Sequence, residues 1–426
     1  VFHRVRAGVT WSRRDNLAGG RDSDGLAALG IRGPALAPLD FGVPAIAVAG
    51  LEPMGDDSNL PVTRWTRAWH VADTITVDLG RHQLKAGGEA RTYRSDGVNH
   101  LFARGKLTFS GAFTGSGLGD LLLGYPSFTL LATNDNPQAL RTWSATGFLE
   151  DVWRPAARVT VSAGLRYEFR APPVDAGDLM HTFDPSTRTL VRVGTNGVPR
   201  AGVEADRNDW APRVSIGVDL TGRGRTIARA GYGVYYDTGT LIEHSAFYFN
   251  PPAYTLQVFV PTATALLTLA DPWPANRGLT PLPSVNMVDR RFRTAHTQQA
   301  VLGLEHTAAG ATWTARYVAA AGRSLARKRN VNQPVPGPGA LDPRRPIAGF
   351  GDILVVESAA RSTYHGVQLA LDRPLRGGLE AHAAYTWSRS FDDASAFLAT
   401  DGNDNTPQDS RNVAAEWGPS DFDVRH

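Results

Sequence analysis

The strongest candidate for a chemical site is a run of oxygen-bearing side chains close to the end of the chain. Asp401, Asn403 and Asn405 stand at alternate positions, and oxygens spaced in this way can ligate Ca²⁺. The rest of an EF-hand pattern is missing, because Thr406 replaces the turn glycine and Asn412 replaces the bidentate glutamate. The sequence therefore favours a solvated polar loop over a calcium site.

Residue types used in catalysis are present, but their spacing does not build a catalytic site. The eleven histidines are scattered without a His-Glu-x-x-His motif, and no Gly-x-Ser-x-Gly motif supplies a nucleophile. Neighbouring carboxylates such as Glu150 and Asp151 point to opposite faces of a strand, so they are not the acid pair of a glycosidase. The absence of cysteine excludes disulfides, thiolate metal sites and a thiol nucleophile. We expect a protein that is not an enzyme and that has no cofactor or metal.

Nucleotides and nucleic acids are also poor candidates for ligands. The glycine-rich segments at 115–119 and 231–233 superficially resemble dinucleotide-binding loops, but neither lies in a βαβ unit. The 44 basic and 41 acidic residues are interspersed, which gives a net charge of +3 without a basic face. We expect no nucleic-acid partner.

The informative pattern is an alternation of apolar and polar residues, clearest at 158–169, 213–220 and 379–388. Successive side chains of a strand point to opposite sides, so each segment separates an apolar medium from a polar one. We expect the following residues to face lipid: Val159, Val161, Leu165, Tyr167, Val214, Ile216, Val218, Ala383 and Tyr385. We expect the alternate residues to line a water-filled lumen: Arg166, Glu168, Arg213, Asp219 and Glu380.

The connections between these strands alternate between short and long. Short links rich in Gly, Pro or Arg stand at 80–81, 154–157, 221–224, 307–310 and 374–378. Long segments rich in Pro, Asn, Asp and Gly stand at 171–210, 237–295, 321–361 and 390–421. Compact soluble domains rarely contain such long irregular loops, and no apolar run approaches the roughly 18 residues of a membrane helix.

The sequence therefore predicts an all-β fold, a transmembrane antiparallel up-and-down β-barrel with short periplasmic turns and long extracellular loops. We count about 13–14 strands. Two shorter segments, 104–113 and 128–133, are included as wall strands, with 114–124 turning on the periplasmic side.

One long connection, 237–295, is rich in large rings, namely Phe247, Tyr248, Phe249, Tyr254 and Trp273. Rings in a long loop either pack it onto the rim of the barrel or contact a ligand, because loops on a rigid scaffold often carry recognition. The sequence leaves both alternatives open.

Several segments resemble the barrel of TonB-dependent receptors of the Oar-like type, whose members often carry an N-terminal carboxypeptidase-regulatory-like domain. The segments are GLRYEF at 164–169, RNDWAPR at 207–213, RAGYGVYYD at 229–237, YHGVQLALDR at 364–373, AYTWSRSFDD at 384–393 and GPSDFDVRH at 418–426. Their order and spacing are specific, although no single motif is decisive, and the resemblance covers most of the chain from about Arg64 onward.

The resemblance implies a barrel of about twenty-two strands closed around a plug. It also implies residence in the bacterial outer membrane, contact with lipid and lipopolysaccharide, and uptake of a bulky substrate with energy from the inner membrane. Residues 1–426 contain no recognisable TonB box, plug or terminal strand. We therefore expect a partial barrel domain over 1–426, and contact with the TonB complex only through the absent plug.

Two other functions remain open at this point. A barrel of related build could serve adhesion or surface organisation without uptake, which the lack of a plug in the full-length gene would favour. A secreted soluble β-protein that binds carbohydrate, such as a propeller, would require a repeat of about 40–50 residues, and the sequence shows none.

Overall fold

The computed structural model describes residues 1–237, 242–275, 278–279, 281–374, 378–396 and 406–426, with no side chains described at 242 and 243. The candidate calcium loop at 401–405 lies outside the described residues. The strands are β1 (Phe2–Asn16), β2 (Ala45–Val48), β3 (Val62–Leu79), β4 (His82–Asn99), β5 (Lys106–Phe109), β6 (Phe128–Asn134), β7 (Gln138–Ala156), β8 (Val159–Arg170), β9 (Val174–Asp175), β10 (His181–Asp184), β11 (Thr189–Arg192), β12 (Asp209–Asp219), β13 (Thr226–Tyr236), β14 (Tyr254–Phe259), β15 (Val285–Val288), β16 (His296–Ala308), β17 (Ala311–Asn330), β18 (Ile353–Pro374), β19 (Glu380–Asp392) and β20 (Gly418–Pro419).

Helices are short and few in the described chain, namely α1 (Gly25–Ala28), α2 (Gly117–Leu123) and α3 (Ile242–Ser245), with single 3₁₀ turns at Pro38–Asp40, Ala246–Phe249, Asp342–Arg344 and Val413–Glu416. None of these described helices is long and apolar enough to cross a membrane. The architecture is therefore set by the strands.

Fourteen of the described strands form one large sheet. Its long strands run in the order β1-β3-β4-β7-β8-β12-β13-β16-β17-β18-β19, each antiparallel to the next, and the two-residue β20 follows β19. The short strands β9 and β15 pair with β7 and β18. Within the described residues β1 and β20 are the two edges, so the sheet is an open wall and not a closed barrel.

The tight links lie at one end of this sheet, here called the short-turn end. The links after β3 and after β16 each contain a glycine in the left-handed region, Gly80 at φ 61° and Gly310 at φ 73°, where other residues are strained. The link after β12 is closed by the Asp219 carboxylate, which accepts hydrogen bonds from the backbone N–H groups of Gly222 at 2.9 Å and Gly224 at 2.7 Å. The link after β18 passes through residues 375–377, outside the described range.

The opposite end, here called the long-loop end, carries the long connections and a second, smaller sheet. This four-stranded sheet has the order β14-β6-β5-β2. Its core contains Leu107 and Phe109, both fully buried, packed with Phe259, Leu267 and Trp273. A separate hairpin, β10–β11, packs with other loop residues at the same end.

The small sheet corrects one part of the sequence-based prediction. The segments 104–113 and 128–133 are not wall strands, because β5 and β6 belong to the small sheet and β4 pairs directly with β7. The segment 114–124, with helix α2, is therefore at the long-loop end and not among the periplasmic turns. Strands of 4 and 7 residues are also shorter than the roughly 9–11 that span a bilayer. Because the two misassigned strands form a pair, the direction of every later strand is as predicted.

Candidate functional site

The nine residues predicted to face lipid lie on one face of the large sheet, here called the apolar face. Directly opposed residues of an antiparallel sheet share a face. The register connects them from strand to strand through the pairs Val161–Ile216, Ile216–Ala230, Ala230–Leu302, Leu302–Tyr317, Tyr317–Val367 and Val367–Trp387. One face therefore continues from β8 to β19.

The apolar face is largely accessible, and at one edge of it the Tyr385 hydroxyl is 2.8 Å from Nδ1 of His426, near the end of the chain. Leu165 is 46% exposed, Val214 50% and Tyr385 50%, and none of the nine residues is buried. Exposed neighbours on the same face include Leu149, Leu302, Leu304, Trp313, Leu369 and Trp387. A contiguous apolar surface of this size is uncommon on soluble monomers and marks a surface that meets another apolar medium.

Aromatic rings lie at the two ends of the apolar face. Towards the long-loop end, the rings of Tyr167 and Trp210 are 4.6 Å apart, and those of Trp143 and Phe169 are 5.2 Å apart. Towards the short-turn end, Trp153 stacks on His82 at 5.8 Å. Strands β8, β12 and β13 have 12, 11 and 11 residues, close to the length that crosses a bilayer. Two levels of rings at this spacing are typical of the aromatic girdles of membrane barrels.

The other face of the large sheet, here called the polar face, carries the predicted lumen residues. Arg213 lies opposite Gly164 on β8, and its guanidinium is 4.5 Å from the centre of the Tyr235 ring. Arg166 donates from Nε to Glu168 Oε1 at 2.7 Å. Because paired charges of this kind remain partly exposed, the polar face is suited to contact with water.

Two of the predicted lumen residues stand close to the short-turn end. Glu380 begins β19 and lies opposite Pro374. Asp219 ends β12, and its carboxylate is occupied in closing the following turn, where it also accepts the Thr221 hydroxyl at 3.1 Å. The sequence Asp-Leu-Thr-Gly-x-Gly at the end of an alternating strand is the signal that could have identified this role.

The ring-rich loop divides into two groups. Phe247 and Tyr248 are fully buried at the long-loop end, where the Tyr248 hydroxyl donates to Asp175 Oδ1 at 2.6 Å and accepts from the backbone N–H of Ala139 at 3.3 Å. Burial, with the carboxylate of Asp175 beside it, raises the pKa of Tyr248. These two rings form part of the packing that fastens the loops to the sheet.

The remaining rings lie in or beside the small sheet. Trp273 is 8% exposed, and its indole N–H donates to the Leu130 carbonyl at 3.1 Å. Phe249 and Tyr254 meet edge to face at 5.7 Å and are half-buried, and burial raises the pKa of Tyr254 to about 12. The structure therefore leaves Phe249 and Tyr254 as the accessible rings of the five, and contact of these rings with a ligand stays a prediction.

A polar cavity that the sequence did not indicate lies beside the outer parts of β17 and β18. Its volume is about 340 Å³, and it is lined by Arg327, Arg329, Glu357, Ser410 and Arg411, among others. Arg327 and Arg329 both donate to Glu357, at 2.7 and 2.8 Å. Among the described residues, no group of three His, Asp or Glu side chains is placed to hold a metal ion.

Comparisons with known proteins agree with this geometry. The whole chain, residues 1–426, matches the outer membrane beta barrel domain family, and no curated protein shows significant similarity to it. The outer membrane transporter YddB from Escherichia coli superposes with a TM-score of 0.51 at 10% identity, over 92% of this chain and 40% of the transporter. The FrpB iron transporter from Neisseria meningitidis gives 0.47 at 10% identity, over 92% and 41%. The siderophore receptor PirA from Acinetobacter baumannii gives 0.44 at 13% identity, over 92% and 41%.

The chain thus spans less than half the length of these solved structures. At 10% identity the superposition on YddB shows a shared fold. The family match extends over every residue and places the protein in the outer membrane. The chain belongs to the outer membrane beta barrel domain family.

Proposed function

We propose that the protein is a transport barrel of the TonB-dependent, Oar-like type, which takes up a bulky ligand through the outer membrane and has no catalytic role. The observation that carries the proposal is the continuous register from β8 to β19, which separates an apolar face from a polar face. In this proposal the apolar face contacts lipid and the polar face lines the path of the ligand.

The two ends of the sheet then have different roles. The short-turn end faces the periplasm and the long-loop end faces the cell exterior, as in other barrels of this kind. Ligand specificity lies in the long loops, where the half-buried rings of Phe249 and Tyr254 and the polar cavity beside Arg329 are candidate contacts. Residues 1–426 form part of the barrel wall, and energy reaches the barrel through a plug outside these residues that contacts the TonB complex.

Energy-dependent uptake by intact cells tests the proposal. Cells with and without the gene are given labelled siderophores, glycans, peptides and cobalamin, in the presence and absence of a protonophore. We expect one of these classes to accumulate only when the gene is present, and accumulation to stop when the protonophore collapses the inner-membrane gradient.

A loop variant and a control variant test whether the long loops contact the ligand. The double change Phe249→Ala with Tyr254→Ala should lower accumulation, whereas Thr307→Ala at the short-turn end should leave it unchanged. Surface binding that persists unchanged with the protonophore, together with lost adhesion in the deletion strain, would show that the protein serves adhesion and not uptake. Recovery of the protein from the medium without detergent would favour the secreted carbohydrate-binding alternative.

A further inference from the structure

Three arginines stand side by side on the apolar face, near the long-loop end. Arg67 of β3 lies directly opposite Arg94 of β4, and Arg94 lies directly opposite Arg141 of β7. Arg141 shares its face with Leu149, which lies opposite Leu165. Side chains directly opposed across antiparallel strands are roughly 5 Å apart at Cβ, and like charges in this position destabilise the sheet. A row of three cations therefore calls for a compensating negative charge.

The described side chains supply only part of that charge. Asp96 accepts from Arg141 Nη2 at 2.6 Å. Arg13, on the same face, pairs with Asp15 at 2.6 Å and lies over the Trp65 ring at 5.0 Å. Arg67 and Arg94 are exposed, and no described carboxylate lies within ion-pair distance of either guanidinium. The four arginines and two aspartates of this patch thus leave an excess of two positive charges.

The depth of the arginine row places it at the level of lipid headgroups. Trp69 and Trp143 each lie two positions closer to the short-turn end than Arg67 and Arg141. They are 55% and 50% exposed on the same face. Leu79 stands ten residues after Trp69 on the same strand, which is about 33 Å along the strand at roughly 3.3 Å per residue. With a strand tilt of about 45°, this matches an apolar band about 25 Å tall. The arginines lie immediately beyond that band.

We propose that Arg67, Arg94 and Arg141 bind the phosphate of an anionic lipid in the leaflet at the long-loop end, with Trp69 and Trp143 against the lipid beneath it. The inference rests on the lipid-facing orientation given under the proposed function. Guanidinium groups present a fork of N–H donors that matches phosphate oxygens. A lipid is favoured as the source of the phosphate because the cations adjoin the apolar face and the aromatic level, where a headgroup is already held in place.

The test uses the intact protein in nanodiscs of phosphatidylcholine that contain a minor fraction of phosphatidic acid. Native mass spectrometry measures how much phosphatidic acid each protein retains relative to phosphatidylcholine. The double variant Arg67→Gln with Arg94→Gln should lose about tenfold or more of this preference, since each surface cation contributes roughly fivefold to anionic-lipid binding. The matched control, Arg4→Gln with Arg6→Gln, removes two exposed cations from the polar face of β1 and should retain the preference of the unaltered protein.

Two further measurements keep the outcomes distinct. Phosphatidylcholine with brominated acyl chains should quench the tryptophans of the unaltered protein and of both variants, which reports lipid contact and correct assembly. Phosphatidic acid retention by the unaltered protein should weaken as salt rises from about 0.05 M to about 0.5 M.

Several results would overturn the proposal. Normal quenching with unchanged phosphatidic acid retention in the Arg67/Arg94 variant would overturn the phosphate site alone. Equal losses in the Arg4/Arg6 control, or full displacement of the lipid by inorganic phosphate, would also overturn it. Absence of quenching in the unaltered protein would overturn the lipid-facing orientation and the phosphate site together.

Discussion

Leu165→Arg and Arg166→Leu, at two adjacent positions of β8, should have very unequal effects on the folding equilibrium in lipid. Leu165 is 46% exposed on the apolar face, opposite the exposed Leu149, and lies near the middle of a 12-residue strand. An arginine near the bilayer midplane on the lipid face of a barrel costs about 2–4 kcal/mol. Leu165→Arg should therefore lower the folding equilibrium in lipid by roughly 30-fold to several hundred-fold, at about 1.4 kcal/mol per factor of ten.

The matched control is the neighbouring residue. Arg166 lies on the polar face, where its Nε pairs with Glu168 at 2.7 Å and the two side chains are 30% and 20% exposed. Partly exposed ion pairs contribute about 0–1 kcal/mol. Arg166→Leu should therefore change the folding equilibrium by about fivefold or less.

The assay is assembly of the intact protein into phosphatidylcholine vesicles over a series of urea concentrations. The folded fraction is read from the shift in gel mobility between unheated and heated samples. We expect the midpoint of Leu165→Arg to move to much lower urea, while that of Arg166→Leu stays close to the unaltered protein. Equal shifts for both variants, or a larger shift for Arg166→Leu, would refute the assignment of the two faces.

Three further predictions concern the long-loop end. Gly105→Ala should make the small sheet more sensitive to limited proteolysis, because Gly105 has φ 75° and an added Cβ would overlap the Trp273 ring. Tyr248→Phe should cost about 1–3 kcal/mol of local stability, measured by hydrogen exchange, because the buried Asp175 loses a donor. Burial lowers the pKa of His244 to about 4, below the roughly 6.5 of an unfolded chain. Proteolytic resistance should therefore fall as pH drops from about 6.5 to about 4, and His244→Phe should reduce this dependence.

The long strands of the large sheet can be predicted from the sequence because one face of the sheet is apolar and the other is polar. At 158–169 every second residue is apolar, and this period survives in the register of β8 with its neighbours. The tight links can also be predicted from the sequence, because glycines such as Gly80 and Gly310, which adopt positive φ, interrupt the alternation. Strand direction and the two faces follow from these local signals.

The small sheet could not be separated from the wall by the same reasoning. The strand β5 alternates like a wall strand, but Leu107 and Phe109 face a buried core formed with residues far along the chain, such as Phe259 and Trp273. Alternation reports only that one face is apolar, and it does not distinguish lipid from a protein core. The available signal was the segment 128–133, which is shorter than the roughly 9–11 residues that span a bilayer.

The contacts within the long loops were also beyond sequence reasoning. Tyr248 and Asp175 are 73 residues apart in the chain, and their hydrogen bond depends on how two loops meet above the sheet. The polar cavity brings together Arg327, Glu357 and Ser410 from three separated segments. Such pairings have no local periodicity, so a ring-rich loop could be recognised while its packing could not.

A spin-label scan along β8 tests the central claim most directly. The chain contains no cysteine, so single cysteines at successive positions from Val159 to Phe169 carry a nitroxide at one defined place. In the membrane, labels at Val159, Val161, Leu165 and Tyr167 should collide mainly with oxygen, which concentrates in lipid, and labels at alternate positions should collide mainly with a water-soluble nickel complex. Accessibilities that show no period of two, or nickel access at Leu165 equal to that at Arg166, would contradict the separation of a lipid-facing surface from a water-facing one.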